Sequence, residues 1–150
     1  MNSDANPVAN PFGTSISADD IVDNLSFFDS WEDRYRYIID LGRELPPLPE
    51  ALRTDDRLVR GCQSQVWIDV GEKEGRLQLA VDSDAFIVKG LLAVVLAAYN
   101  NKAPDEVMDF DVDGYFETLG LMQHLSPTRG NGLRAMVARI RQEAERAAAV

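Results

Sequence analysis

Two side chains in this 150-residue chain attract chemical attention because each is the only one of its kind: Cys62 and His124. Cys62 follows Gly61 within VRGCQSQVW at 59–67. A thiol reacts as its thiolate, and Arg60 beside it would favour that form. With no second cysteine there is no intramolecular disulfide. A closed multi-thiolate zinc or iron–sulfur site within one chain is excluded too. The plain alternative is a small buried hydrophobe, since unpaired cysteine is among the most buried residue types. Against it stand the polar or small neighbours Arg60, Gly61, Gln63 and Ser64, and the tendency of loops to carry function.

Paired with His124, Cys62 would make a thiol hydrolase. Spacing leaves open whether the two meet, and a solvated or hydrogen-bonded His124 in a loop or helix end is the simpler reading. One cysteine, one histidine and scattered carboxylates lack metal-ligand spacing. Asp109, Asp111, Asp113 and Gly114 resemble the start of a calcium loop, but Gly120 stands where the closing glutamate belongs. Asp19–Asp20 and Asp55–Asp56 read as solvated faces and caps. Arg134, Arg139, Arg141 and Arg146 read as the solvated face of a last helix.

The elements that must position Cys62 follow from periodicity. Residues 1–17 hold few apolar groups and are expected to form a flexible tail, with 18–150 as a single domain. A helix is expected from Ser17, with Ile21, Leu25 and Phe28 at helical spacing. Ser30 would cap a second helix through Glu44, burying Trp31, Tyr35, Ile38 and Ile39, before Pro46, Pro47 and Pro49 break it. Val66, Ile68 and Val70 alternate, as do Leu77, Leu79 and Val81 after GEKEG. That pattern is an antiparallel hairpin with a five-residue connection.

Residues 82–102, DSDAFIVKGLLAVVLAAYNNK, read as one helix capped by Asp82 or Ser83. It is apolar nearly all round, so it should be the buried central helix. Pro104 suits the first turn of a short helix, and Gly114–Leu121 suggests another. Ser126–Gly132 reads as a polar loop containing Arg129. Leu133, Met136, Val137, Ile140 and Ala144 mark a final helix. The class is α+β, a small antiparallel sheet packed with helices.

Apolar content of 45% and charged content of 27% are those of a globular domain. A net charge of −10 argues against nucleic acid. The longest uncharged apolar stretch, Gly90–Asn101, falls short of the roughly 20 residues a membrane span needs. The first Lys or Arg is Arg34, so neither a secretory signal nor a transit peptide is expected. A single unpaired thiol is compatible with a cytoplasmic location.

Three stretches then carry a resemblance: GCQSQVWI at 61–68, DSDAFIVKGLLAVV at 82–95 and QHLSPTRGNGLRAM at 123–136. With WEDRYRYIIDLGRELPPLP at 31–49, they resemble the SufE family, the sulfur acceptors of cysteine desulfurases, from about Leu25 to Arg141. The resemblance implies a SufE/IscU-like fold without the scaffold's cluster-binding cysteines. It places the persulfide acceptor on Cys62, with Arg129, Gly61 and Gln63 in support. Arg129 would steady the thiolate or touch the partner, or else be a plain surface arginine near a helix start.

The implied partner is a pyridoxal-phosphate-dependent, SufS- or CsdA-like cysteine desulfurase, which the protein would stimulate. Sulfur would go on to iron–sulfur cluster assembly, with a scaffold complex as a further candidate partner. No cofactor of its own is expected, and no nucleic acid or membrane. This describes an accessory carrier rather than a stand-alone enzyme. The thiolate would attack the outer sulfur of the donor persulfide, and the donor cysteine would leave. A thiol sheltered at rest that swings outward on docking is expected. The thiol hydrolase and a non-catalytic interaction domain are the other readings.

Overall fold

Helix ends in this protein follow local chemistry. The computed structural model describes residues 10–149. Helix α1 (Ala18–Ser26) begins at Ser17. The Ser17 hydroxyl accepts from the Asp20 N–H and the Asp20 carboxylate accepts from the Ser17 N–H, a reciprocal cap that satisfies two otherwise orphaned donors. Helix α2 (Trp31–Gly42) is capped by Ser30 and stops two residues short of the expected Glu44. Ile38 is fully buried, while Trp31, Tyr35 and Ile39 are partly buried against the same core.

Strands β1 (Val66–Lys73) and β2 (Arg76–Ser83) pair antiparallel, from Val66 opposite Ser83 to Lys73 opposite Arg76. The connection is two residues, Glu74 and Gly75, not five. Both have positive φ, 54° and 77°, as a tight turn matched to strand twist requires. The strands run on through Gly71, Glu72 and Lys73, which are exposed and carry no apolar alternation to announce it. A short third segment joins the sheet ahead of the cysteine. Leu58 bridges Trp67, the Val59 N–H donates to the Val66 carbonyl, and the Ile68 N–H donates to the Arg57 carbonyl.

Helix α3 (Phe86–Tyr99) is buried from Ile87 to Tyr99 except at Lys89, so it forms the centre of the core. Neither Asp82 nor Ser83 caps it, because β2 continues through Ser83 and the cap position is Ala85. Asp82, itself buried, instead forms ion pairs with the partly exposed Arg53 and Lys89. α2 crosses α3 where Gly42 and Gly90 let the backbones touch. A Cβ on Gly90 would lie 2.2 Å from the Ile38 carbonyl oxygen.

Helix α4 (Pro104–Asp109) opens on its proline. The helix expected over Gly114–Leu121 is two, α5 (Val112–Leu119) and α6 (Leu121–His124), parted at Gly120 with φ 71°. Helix α7 (Pro127–Ala148) replaces the expected loop at 126–132. Ser126 caps it and Pro127 occupies its first turn, the pairing that favours a helix start. Leu133, Met136, Val137, Ile140 and Ala144 line its buried face. The α+β class is as expected.

Residues 10–17 correct the expected tail. Phe12 is fully buried in the main core, and the Asn100 side-chain amide donates to its carbonyl at 2.9 Å. One aromatic ring is enough to hold a short polar segment, since burying it is worth about 2–3 kcal/mol. Residues 1–9 of that tail lie outside the described residues. Among the described residues, no helix is long and apolar enough to cross a membrane.

Candidate functional site around Cys62

The cysteine sits in a loop, residues 60–65, between the short segment at 57–59 and β1. Its base is zipped by the bond from the Val59 N–H to the Val66 carbonyl, 2.8 Å. Its exit is pinned at Gln65. The Gln65 N–H donates to the Asp84 carboxylate at 3.0 Å and the Ser83 hydroxyl donates to the Gln65 carbonyl at 2.6 Å. Ser83 and Asp84 thus fasten the loop. Gly61 has φ 93°, a left-handed conformation that glycine adopts without strain. It turns the chain so that the next side chain points inward.

Cys62 is partly buried. Its thiol donates to the carbonyl of Gly132, on α7, with Sγ to oxygen 3.5 Å. The sulfur lies against Gly132 itself, where a Cβ would stand at ordinary contact distance, 3.6 Å from Sγ. A cavity of about 30 Å³ adjoins the sulfur, room for roughly one small atom group. Gln63 and Ser64 form one wall, Val88 of α3 another, and Thr128, Arg129 and Met136 of α7 the rest.

Burial pushes the Cys62 thiol above its ordinary pKa, and no cation pulls it down. The expected help from Arg60 is not delivered, because Arg60 is exposed to solvent. The resting thiol therefore favours its protonated form.

The structure thus brings Cys62 together with Gln63 and Arg129, and Gly61 shapes the approach. It does not bring in His124. That ring stacks on Trp31, centroids 4.5 Å apart, and its Nδ1 is 2.8 Å from the Gly120 carbonyl oxygen. His124 is not among the residues lining the cysteine's cavity. The acidic run at 109–113 serves local structure, with the Asp111 carboxylate accepting from the Gly114 N–H at 3.1 Å to cap α5. Among the described residues, no group of three or more His, Cys, Asp or Glu is placed to hold a metal ion.

Sequence reasoning missed Val88, Thr128 and Met136 as cavity walls. The Ser126–Pro127 pair was the signal that would have put Thr128 and Arg129 on a helix N-terminus facing the cysteine loop.

Residues 19–144 match SufE, the Fe-S metabolism associated domain. The chain belongs to the SufE family. An uncharacterized SufE-like protein of Rhizobium meliloti is 47% identical over 133 residues, 86% of this chain and 95% of that protein. One from Rhizobium etli is 49% identical over 138 residues, 89% of this chain and 93% of its own length. The solution structure of a hypothetical protein from Thermus thermophilus superposes with a TM-score of 0.73 at 18% identity. It covers 95% of this chain and 100% of that chain, which shows a shared fold. The motif resemblance is thereby borne out, and with it an association with iron–sulfur metabolism. In this SufE-family chain the three motif stretches converge: 61–68 supplies the thiol, 82–95 fastens its loop, and 123–136 shelters it.

Proposed function

We propose that this protein accepts sulfane sulfur on Cys62 from the persulfide of a pyridoxal-phosphate-dependent cysteine desulfurase and carries it toward iron–sulfur cluster assembly. The observation that supports this most is the pairing of a solitary thiol with a shelter that shields it and keeps it protonated. A hydrolytic nucleophile is helped by a base at hand, and among the described residues no His, Asp or Glu lines the cavity beside this sulfur. A carrier needs the reverse, a thiol quiet until its donor arrives.

The step balances without a further reactant. The Cys62 thiolate attacks the outer sulfur of the donor persulfide, a new sulfur–sulfur bond forms at Cys62, and the donor's sulfur–sulfur bond breaks. The donor cysteine departs as thiolate, so no net oxidation occurs. With one cysteine in the chain, no neighbouring thiol can resolve the persulfide into a disulfide. Arg129, at the cavity wall, is a cationic group that the incoming persulfide would meet. The chain needs no cofactor of its own in this scheme.

Because the resting thiol is sheltered, the desulfurase must bind the loop better when it is released than when it is docked on α7. Gly61 and the exposed Gln63 are the residues that allow that release. The test is desulfurase turnover with saturating carrier. Cys62→Ser should melt within a few degrees of wild type and give no stimulation above the desulfurase alone. Stimulation by the serine variant equal to wild type would end this reading.

A further inference from the structure

We infer that Arg139 is a positioning residue that clamps the base of the Cys62 loop, so that residues 60–65 alone move when the thiol is presented. The inference rests on Cys62 being the sulfur acceptor. In the segment 57–59, the Arg57 carbonyl and the Val59 N–H face β1. The carbonyls of Asp56 and Leu58 face the other way and would form an open strand edge.

Arg139 closes that edge from α7. Its guanidinium donates to the Asp56 carbonyl at 2.6 Å and to the Leu58 carbonyl at 3.2 Å. A planar fork with several donors suits two acceptors of fixed spacing, which a lysine does not. Glu143, one turn on, holds the guanidinium from behind at 3.6 Å, and the two side chains are only 22% and 20% exposed. So Arg139 turns inward, where the sequence placed it on a solvated face. On the β1 side, Arg57 bonds Asp69 at 2.7 Å, and the base of the loop is held from both sides.

Arg139 and Gly132 are seven residues apart on α7, two turns along one face and roughly 10 Å. One helix therefore holds both the thiol and the base of its loop, with unequal strength. The thiol is a weak donor to the Gly132 carbonyl. The guanidinium bonds are charge-assisted and roughly twice as strong as neutral ones. When a partner pulls on the loop, the thiol lets go first and the base stays.

The experiment measures two quantities on Arg139→Met and Arg139→Lys: Cys62 alkylation by iodoacetamide in the free protein, and single-turnover sulfur transfer from a persulfidated desulfurase across carrier concentrations. Arg139→Met should alkylate about tenfold faster and transfer about tenfold more slowly at saturation, the equivalent of one charge-assisted hydrogen bond. The half-saturating concentration should stay within about twofold, because Arg139 is engaged with the Asp56 and Leu58 carbonyls and with Glu143. Arg139→Lys should fall between, and it carries the test if the methionine variant does not fold.

Ile21→Val, in the core far along the chain, is the control. It should lower the melting temperature and leave alkylation unchanged. Rates within twofold of wild type for both Arg139 variants overturn the inference. So does a change in half-saturation alone, or an equal rise in alkylation for Ile21→Val. The alkylation arm uses no donor. If wild-type protein took no sulfur, the acceptor reading would fail while alkylation still judged the clamp.

Discussion

The thiol of Cys62 and the carbonyl oxygen of Gly132, 70 residues apart in the chain, meet at 3.5 Å. The sulfur rests against the backbone of α7, with Gly132 buried beneath it. The contact is weak by nature. It is a resting place from which the loop can be drawn away at small cost.

The pH dependence of the thiol follows from that rest. Burial holds Cys62 above its ordinary pKa. Alkylation of the free protein should keep accelerating at pH values where an unfolded thiol, with a pKa of about 8.5, has levelled off. The linked stability has a definite sign. The folded state prefers the protonated thiol, so that contribution is complete below the unfolded pKa and is lost as pH rises through the higher folded value. Relative to Cys62→Ser, the wild-type urea midpoint should be constant below about pH 8 and fall above it. A thiol that titrates at or below the unfolded value would contradict the shelter.

Phe12 tests whether the N-terminal segment belongs to the core. It is fully buried, and replacing a buried Phe by Ala costs about 3–5 kcal/mol. At this chain length that is a drop of roughly 10 °C in melting temperature. Ser17→Ala, which removes only the cap of α1, should cost about 1 kcal/mol. A Phe12→Ala protein that melts within two degrees or so of wild type would show the segment to be dispensable.

Gly90 tests the crossing of α2 and α3. Alanine is the better helix former by about 1 kcal/mol, so propensity alone predicts that Gly90→Ala stabilises. Its Cβ would meet the Ile38 carbonyl oxygen at 2.2 Å, and overpacking of this kind costs about 1–3 kcal/mol or more. The clash should win. Chemical denaturation should show a lower midpoint, and a raised midpoint would mean that α2 moves aside freely.

What the sequence disclosed depended on whether a residue's role was written in its neighbours. The unbroken apolar run in α3 identified the central helix, and the alternation of Val66, Ile68, Leu77, Leu79 and Val81 identified both strands. The hairpin turn was misjudged because Gly71, Glu72 and Lys73 extend the strand beyond the core, where no burial pattern marks it. The start of α7 was hidden by Thr128, Gly130, Asn131 and Gly132, poor helix formers, of which Thr128 and Gly132 face the cysteine. Phe12 was one of a few scattered apolar residues in a polar stretch, and only its partners at Asn100 and in the core give it meaning. Cys62 was legible from its solitude and motif. Its partners were not, because Val88, Gly132 and Met136 reach it through folding across tens of residues.

The central claim is that Cys62 carries sulfur, and intact-protein mass spectrometry tests it most directly. The protein is mixed with a cysteine desulfurase and cysteine, quenched without reductant, and weighed beside Cys62→Ser. Wild type should gain the mass of one sulfur atom, localised by peptide mapping to the fragment holding Cys62 and removed by a reducing agent, and Cys62→Ser should gain nothing. Wild-type protein that stays at its starting mass with every desulfurase of its host, or a serine variant that gains the same sulfur, would contradict the account.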